Sequence, residues 1–210
     1  MASAHHLNIL AFGASLTEGF CSDGRLFHPY TIRLSQLLRS LCKTVDINNA
    51  GLSGEAVLSD TMLPRLKRLL SLTKIKYDWI FILAGTNDTI RDQQKASRIF
   101  DGYKLLINEC HNHGARVLCM TLPETSYPRE SPFDKQRQEF NRLLREELIS
   151  KDNDNNNNNI IVLDLDRLLP QHSLSNVERR QIWDDGIHLK PQGYDRLGQL
   201  IYDILKPYLS

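Results

Sequence analysis

Residues 7–19 have the sequence LNILAFGASLTEG, a short apolar run followed by a turn that Gly13 and Gly19 bound. A short apolar run that ends at a glycine is typical of a strand buried inside a parallel sheet. The turn places the hydroxyl of Ser15 where the chain would pass from the strand into a helix. The stretch therefore predicts a buried first strand that ends in a tight polar turn.

Outward from this stretch, strands alternate with amphipathic segments along the chain. Four more strands are predicted from apolar runs at residues 44–48, 79–83, 116–120 and 160–163. Apolar residues recur every three or four positions, as in helices that pack one face on a sheet, at residues 34–41, 58–69, 99–110, 140–148 and 197–208. The alternation indicates the α/β class, with a five-stranded parallel sheet in a three-layer α/β/α sandwich.

The length of 210 residues suits one compact domain, and we predict a single domain over residues 1–210. One segment departs from the pattern, because residues 152–159 are all Asn and Asp and contain no apolar side chain to bury. We interpret this segment as an inserted, solvated loop before the last strand and not as a site.

The charge is balanced, with 26 Lys and Arg against 25 Asp and Glu and a formal net charge of +1. No large positive field is therefore available for a phosphate backbone, and nucleic acid is not an expected partner. The basic residues Arg65, Lys67 and Arg68 lie beside leucines at helical spacing, so we interpret them as a solvated helix face.

The cysteines indicate a reducing compartment. They lie in or beside apolar segments without C-x-x-C spacing, at Cys21, Cys42, Cys110 and Cys119. We therefore expect no disulfide. The N-terminal apolar run is too short for a signal peptide, and no stretch approaches the roughly 20 apolar residues of a membrane span. These features predict a cytoplasmic protein.

The loops after the strands are where function is expected, because ligands of open α/β sheets bind beyond the carboxyl ends of the strands. After the second strand, NNAGLSGE (residues 48–55) offers backbone N–H groups, and after the third, Asn87 in GTND offers an amide. Such donors can stabilise a developing negative charge. Each motif alone also fits a turn, and Ser15 alone fits a helix N-cap, so none of them decides a function by itself.

The most specific segment is WDDGIHLKPQGY, residues 183–194. Asp185 precedes His188 by three residues with a glycine between them, so the carboxylate can accept from one ring nitrogen while the other nitrogen faces a nucleophile. Pro191 suits the first turn of the final helix.

Together these motifs fill the roles that an activated serine needs. Ser15 is the candidate nucleophile, His188 the general base and then acid, and Asp185 the carboxylate that orients the imidazole. The N–H groups of Ser15 and Gly54 and the amide of Asn87 are the candidate oxyanion hole. The sequence thus predicts attack of a hydroxyl on a carbonyl carbon.

The segments FGASLTEG, NAGLSGE, AGTND and DGIHLKPQGY resemble the four conserved blocks of the GDSL/SGNH hydrolase family, and they span nearly the whole chain. The resemblance implies a flavodoxin-like sheet of strand order 2-1-3-4-5. It assigns the family's Ser, Gly, Asn and His to Ser15, Gly54, Asn87 and His188, and its triad carboxylate to Asp185.

One position departs from the family pattern. The first block usually contains Gly-Asp-Ser-Leu, and here Ala14 replaces the Asp, which removes a carboxylate expected to brace neighbouring loops. Because that carboxylate is not part of the triad, we expect activity to persist without it.

The implied function is a serine esterase that cleaves a small-molecule carboxylic ester through an acyl-enzyme. Two alternatives on the same triad are carbohydrate O-deacetylation and acyl transfer. A third alternative, a catalytically silent α/β binding module, has no need for an activated hydroxyl, and the complete Ser, Gly, Asn, His and Asp set argues against it.

No cofactor or metal is expected, because glycine loops for dinucleotides or nucleotides are absent and the Asp164 and Asp166 pair lacks further ligands. The walls of the substrate pocket are predicted in residues 20–30, 121–133 and 168–183. Aromatic residues in these loops that could contact an acyl group are Phe27, Tyr30, Tyr127 and Trp183, although ordinary packing is the favoured interpretation of each one alone.

Overall fold

The computed structural model describes residues 6–41, 44–72, 74–148 and 159–209. Five parallel strands form the central sheet: β1 (His6–Gly13), β4 (Thr44–Gly51), β5 (Trp79–Leu83), β6 (Arg116–Met120) and β7 (Ile160–Leu163). Their order is β4-β1-β5-β6-β7, which is the predicted order 2-1-3-4-5 when the five strands are numbered along the chain. The α/β class and the parallel sheet are therefore confirmed.

Two strand features differ from the sequence prediction. β4 continues past residue 48 to Gly51, because Asn49, Ala50 and Gly51 pair in register with the end of β1. A short antiparallel hairpin, β2 (Phe20–Cys21) and β3 (Leu26–Phe27), was not predicted. The hairpin follows the Ser15 turn directly.

Helices connect the strands, and their bounds are α1 (Ser15–Glu18), α2 (Tyr30–Leu38), α3 (Met62–Leu72), α4 (Thr86–Ile90), α5 (Ala96–Asn112), α6 (Pro132–Leu143), α7 (Leu165–Leu168), α8 (Asn176–Ile182) and α9 (Pro191–Leu205). A π-helical turn (Leu144–Leu148) extends α6, and 3-10 turns cover Ser22–Gly24 and Lys206–Tyr208. All five predicted amphipathic segments contain a helix. Leu41 and Leu58 lie outside the helices, since α2 ends at Leu38 and α3 begins at Met62.

The core consists of two apolar clusters, one on each face of the sheet. In β1, Leu7, Ile9 and Ala11 pack into one cluster, whereas Leu10 and Phe12 pack into the other. This alternation follows from the two-residue period of a strand. Helices α2 and α9 cover the first face, and α3, α5 and α6 cover the second. The fold is therefore the predicted three-layer α/β/α sandwich.

Helices α2 and α9 approach each other closely at Gly198. A Cβ atom at this position would lie 2.7 Å from the carbonyl oxygen of Tyr30, so only glycine fits there without displacement of the backbone. This contact fixes α9, and with it the loop that precedes α9, against the rest of the fold.

Within the described ranges, no helix combines the length and the apolar composition that a membrane crossing requires. Cys21, Cys110 and Cys119 are buried free thiols. Cys42 and residues 152–158 of the Asn-rich segment lie outside the described residues. The carbonyl of Asn159, the last residue of that segment, accepts a hydrogen bond of 2.7 Å from the Val117 N–H at the start of β6.

Candidate active site

Three side chains predicted from two separate motifs lie in series at the carboxyl edge of the sheet. The Ser15 Oγ atom is 2.9 Å from His188 Nε2, and His188 Nδ1 is 2.7 Å from Asp185 Oδ2. Ser15 and His188 are separated by 173 residues in the chain, so the fold alone brings them together. The arrangement is a hydroxyl, an imidazole and a carboxylate joined by two hydrogen bonds.

The position of Ser15 follows from the end of β1. A Cβ atom at Gly13 would lie 2.2 Å from the carbonyl oxygen of Leu83, so glycine lets β1 turn close to its neighbour β5. Ser15 is the first residue of α1, and Gly19 ends α1 with a φ of 87°. Because the first N–H groups of a helix have no acceptor within it, the Ser15 N–H is free of intrahelical bonding.

The position of His188 follows from a closed loop between α8 and α9. Trp183 and Leu189 form an antiparallel bridge, and the Asp184 N–H donates to the His188 carbonyl at 2.9 Å. Pro191 then occupies the first turn of α9, as its position before the final apolar stripe predicts. The imidazole thus projects from a short loop whose two ends are held together by these contacts.

Asp185 is fixed by three donors. Its Oδ1 atom accepts the backbone N–H groups of Ile187 and His188, each at 2.6 Å, while Oδ2 contacts the imidazole. Partial burial opposes ionisation of this carboxyl, but the hydrogen bonds from the His188 side chain and the two N–H groups outweigh it and lower the pKa from 3.8 to about 2. Asp185 therefore remains ionised at every ordinary working pH.

This depressed pKa predicts a pH dependence of stability. Since the folded-state pKa of about 2 lies below the ordinary value of 3.8, the stabilisation by the Asp185 carboxylate is complete above about pH 4 and is lost as the pH falls towards 2. Urea unfolding from pH 7 to pH 2 should show Asp185→Asn less stable than wild type near neutrality, with the difference shrinking below pH 4. A difference that stays constant down to pH 2 would contradict this assignment.

The two other predicted site residues lie in adjacent loops. Gly54 has a φ of 79°, a conformation that favours glycine, and its carbonyl accepts from Arg91 Nη1 at 2.6 Å. Asn87 lies in the first turn of α4, and its Nδ2 donates to the Glu55 carbonyl at 2.8 Å. The loop after β5 is therefore tied to the loop after β4, at a point next to Gly54.

Asp88 strengthens the same connection. It is fully buried, and its two carboxylate oxygens accept the N–H groups of Val57 at 2.8 Å and Leu58 at 2.9 Å. Burial raises the pKa of Asp88, and the N–H donors of Leu58 and Val57 limit that rise. No role was predicted for Asp88 from the sequence, although it follows Asn87 directly in the same motif.

Other groups brace the loops around Ala14, where the family's usual carboxylate is missing. Glu18 of α1 accepts hydrogen bonds from the Ser53 N–H at 2.8 Å and from the Ser53 hydroxyl. These bonds join the segment after β1 to the loop after β4. Arg65 of α3 donates to the carbonyl oxygens of Gly13 at 3.2 Å and Ala50 at 2.7 Å. These contacts connect the Ser15 loop to its neighbours without the carboxylate that Ala14 replaces.

Arg65 also forms an ion pair that corrects the interpretation of its helix face. The Arg65 Nε atom lies 3.1 and 3.0 Å from the two carboxylate oxygens of Glu55, and the guanidinium carbon stands 4.3 Å from the centre of the Phe12 ring. The side chains of Arg65 and Glu55 are only 16% and 2% exposed. Lys67 and Arg68 are exposed, as predicted. The solvated-face interpretation is thus wrong for Arg65 alone.

Replacement of Arg65 by Met should lower the free energy of unfolding by about 3–5 kcal/mol, because it leaves the buried Glu55 carboxylate without its partner. Urea denaturation measures this change. Arg68→Met on the same helix is the matched control and should cost no more than about 0.5 kcal/mol, as is usual for an exposed position. Equal losses in the two variants would show that the Arg65–Glu55 pair contributes nothing specific.

The aromatic residues predicted to contact an acyl group divide into two pairs. Tyr30 is fully buried and Trp183 is 3% exposed, and both pack in the core, which is the ordinary packing favoured for each of them from the sequence. The Trp183 indole N–H donates to the Pro170 carbonyl at 3.1 Å, which explains its burial. Phe27 is 47% exposed, and the half-buried Tyr127 packs against Phe133 with ring centres 5.0 Å apart.

The carboxylates of Asp164 and Asp166 bind arginines. Arg145 donates to Asp164 and to Asp166, each at 2.7 Å, and Arg137 donates to Asp166 as well. These contacts form an ion-pair network under the end of α6, where they join β7 and α7 to the helix layer.

The flavodoxin-like sheet thus carries a hydroxyl, an imidazole and a carboxylate at its carboxyl edge, where ligands of open α/β sheets bind. The chain belongs to the GDSL-like lipase/acylhydrolase family, whose model matches residues 11–196. This match covers all four motifs and confirms the resemblance seen in the sequence. No curated protein is a significant match to the chain.

Solved structures share the fold. A lipase/acylhydrolase from Enterococcus faecalis is 22% identical, with a TM-score of 0.75 over 97% of each chain. Est24, a carbohydrate acetylesterase from Sinorhizobium meliloti, is 20% identical, with a TM-score of 0.72 over 96% of this chain and 99% of that one. An aryl esterase from M. smegmatis is 19% identical, with a TM-score of 0.71 over the same shares. At these identities the likeness establishes the fold.

Proposed function

We propose that the protein hydrolyses carboxylic esters through an acyl-enzyme on Ser15, with His188 and Asp185 completing a catalytic triad. The observation that supports this most is the unbroken series of hydrogen bonds from Ser15 Oγ through the imidazole to Asp185, at 2.9 and 2.7 Å. A serine hydroxyl becomes an effective nucleophile when a base removes its proton and a carboxylate holds that base in the correct tautomer.

The reaction follows from this geometry. His188 Nε2 takes the hydroxyl proton as Ser15 Oγ forms a bond to the ester carbonyl carbon, and the carbonyl oxygen becomes an oxyanion. As the intermediate collapses, the bond to the alcohol oxygen breaks and His188 returns the proton to that oxygen. A water molecule then attacks the acyl-enzyme by the same route, which releases the acid and restores the Ser15 hydroxyl.

Three donors are proposed to stabilise the oxyanion: the N–H groups of Ser15 and Gly54 and the amide of Asn87. The Ser15 N–H stands at the free end of α1, and the positive φ of Gly54 shapes the loop beside it. A side-chain amide has two N–H donors. Asn87 uses one donor for the Glu55 carbonyl, which leaves the second for the substrate.

The substrate class includes the alternatives considered from the sequence. The neighbours named as a carbohydrate acetylesterase and an aryl esterase share this fold, so both acetylated sugars and simpler esters belong in a substrate screen. Acyl transfer would follow the same first half-reaction with an alcohol in place of water. A silent binding module would have no use for a hydroxyl paired to an imidazole. The cytoplasmic location inferred from the sequence stays a prediction.

Replacement of Asn87 by Ala should lower kcat by about 10²–10³-fold, since one oxyanion donor is lost and the others remain. Steady-state hydrolysis of p-nitrophenyl acetate measures this change. The matched control is Asn176→Ala at the start of α8, outside the site loops, which should keep a kcat close to wild type. Wild-type kcat in Asn87→Ala would remove this residue from the oxyanion hole.

The proposed function is tested by product release from esters of different acyl length. We expect wild-type protein to release p-nitrophenol from short-chain esters, with a pre-steady-state burst whenever hydrolysis of the acyl-enzyme is the slower step. Acetylated sugars and an added alcohol acceptor test the two alternatives in the same assay. If no ester, acetylated sugar or acyl acceptor reacts faster than in buffer, the proposed function is wrong.

A further inference from the structure

The β2–β3 hairpin places a row of aromatic rings beside the imidazole. Phe20 and Phe27 are paired in register across the hairpin, with ring centres 5.9 Å apart in an edge-to-face arrangement. The Phe20 ring centre lies 4.6 Å from that of His188. The ring contacts therefore form a continuous line that starts at the proposed general base, His188, and runs through Phe20 to Phe27.

This row is held rigidly to the loop that contains His188. The Ser22 N–H donates to Asp184 Oδ2 at 2.5 Å, and the Tyr194 hydroxyl donates to the Phe20 carbonyl at 2.8 Å. Gly24 packs so closely on the Phe20 ring that a Cβ atom there would lie 2.9 Å from a ring carbon. Because donors and acceptors on both sides fix the hairpin, the rings have a defined position relative to the triad.

The outer end of the row is open to solvent. Phe27 is 47% exposed and its neighbour Leu26 is 44% exposed, whereas Phe20 is half-buried between Phe27 and the imidazole. An apolar surface that begins at a reactive group and reaches solvent suits the apolar part of a ligand. Phenylalanine rings offer no donor or acceptor to sugar hydroxyls.

The chemistry of the triad decides which part of an ester this surface meets. In the proposed function, on which this inference rests, His188 returns its proton to the alcohol oxygen as that oxygen leaves. The alcohol portion must therefore lie on the imidazole side of the carbonyl carbon, and the acyl portion lies away from it. We propose that Phe20 and Phe27 form the subsite for the alcohol portion and that this subsite selects alcohols with an apolar, aromatic end.

The test compares two acetate esters, propyl acetate and 3-phenylpropyl acetate. Their leaving alkoxides have similar basicity, so the bond between the acyl carbon and the alcohol oxygen should break with similar ease in both. The quantity measured is the ratio of kcat/KM for the phenylpropyl ester to that for the propyl ester. Loss of the outer ring in Phe27→Ala should lower this ratio about 10-fold, since an aromatic contact and its apolar burial are removed. The control Leu105→Ala, an exposed apolar residue on α5, should leave the ratio unchanged.

Rates are expressed per active site titrated with a fluorophosphonate, so that a loss of folded protein does not enter the ratio. Phe20→Leu keeps an apolar side chain next to His188, and it should also lower the ratio. An equal fall in kcat/KM for both esters would show that the rings only position the imidazole, and it would overturn the subsite. A loss in activity on an acetylated xyloside as large as that on the phenylpropyl ester would overturn the stated selectivity.

Different results would overturn the alcohol subsite and the proposed function. Ser15-dependent hydrolysis of both esters, with a ratio that Phe27→Ala does not change, overturns the alcohol subsite and leaves the proposed function intact. Hydrolysis in Ser15→Ala at a tenth or more of the wild-type kcat overturns the proposed function, and the subsite with it.

Discussion

Replacement of Ser15 by Ala is expected to lower kcat for p-nitrophenyl acetate by about 10⁵-fold or more, the largest effect of any single change in the protein. Without Oγ no acyl-enzyme forms, and any remaining turnover depends on water attacking a carbonyl that the oxyanion donors still polarise. KM should change much less than kcat, because the hydroxyl is small and the substrate contacts remain. Steady-state kinetics over a range of ester concentrations separates the two constants.

The control for this variant is Ser71→Ala, which removes an exposed hydroxyl from α3 that donates to the Arg68 carbonyl in the same helix. It should keep the wild-type kcat. If Ser15→Ala retained a tenth or more of the wild-type kcat, Ser15 could not be the nucleophile, since a missing nucleophile costs several orders of magnitude.

Replacement of His188 by Ala should lower kcat by roughly 10³-fold or more. The Ser15 hydroxyl then has no base at 2.9 Å and must lose its proton to water, and the leaving alcohol has no acid to protonate it. The loss should fall mainly on kcat, since the imidazole acts in the transition states of both half-reactions. Activity should recover partly when the pH is raised, because hydroxide replaces part of the missing base.

A second histidine offers a matched control. His28 Nε2 is 2.9 Å from Asp195 Oδ1, which makes a histidine and carboxylate pair like that of His188 and Asp185, but among the described residues no serine hydroxyl is hydrogen-bonded to its ring. His28→Gln should keep a kcat close to wild type. Equal losses in His28→Gln and His188→Ala would indicate that any such substitution disturbs the fold, and the assignment of His188 as the base would fail.

Much of the fold could be predicted because buried parallel strands are short apolar runs. The residues on either side of each run mark where the strand begins and ends. The runs at 79–83, 116–120 and 160–163 coincide with β5, β6 and β7. The extension of β4 to Gly51 was missed because polar Asn49 pairs with β1 only in the folded sheet. The β2–β3 hairpin was missed because strands of two residues are too short to show a period.

The three residues of the proposed triad could be brought to one site from the sequence because each lies in a motif whose chemistry is local: Ser15 in a glycine-bounded turn, and Asp185 three residues before His188. Arg65 could not be recognised in the same way. Its partners Glu55, Ala50 and Gly13 lie 10, 15 and 52 residues away, and only the fold brings them to one guanidinium. Because the charged residues Lys67 and Arg68 lie close to it in the sequence, the pattern indicated a helix face that is solvated throughout.

The aromatic row illustrates the same limit of local patterns. Phe20 follows the Ser15 motif directly, but its contact with His188 spans most of the chain and depends on the bond between Ser22 and Asp184. Conversely, Tyr30 and Trp183 lie in loops predicted to line the pocket, yet their rings complete the core. Position in a loop did not distinguish a ring that faces a ligand from one that packs inside.

The central claim is that the fold activates one hydroxyl, that of Ser15, by contact with the His188 imidazole. Labelling with a fluorophosphonate, followed by mass spectrometry of the digested protein, tests this directly, because the probe bonds only to an activated serine. We expect one adduct per chain on Ser15, no adduct in Ser15→Ala, and much slower labelling in His188→Ala. An adduct on another residue of wild-type protein, or undiminished labelling of Ser15→Ala, would contradict the claim.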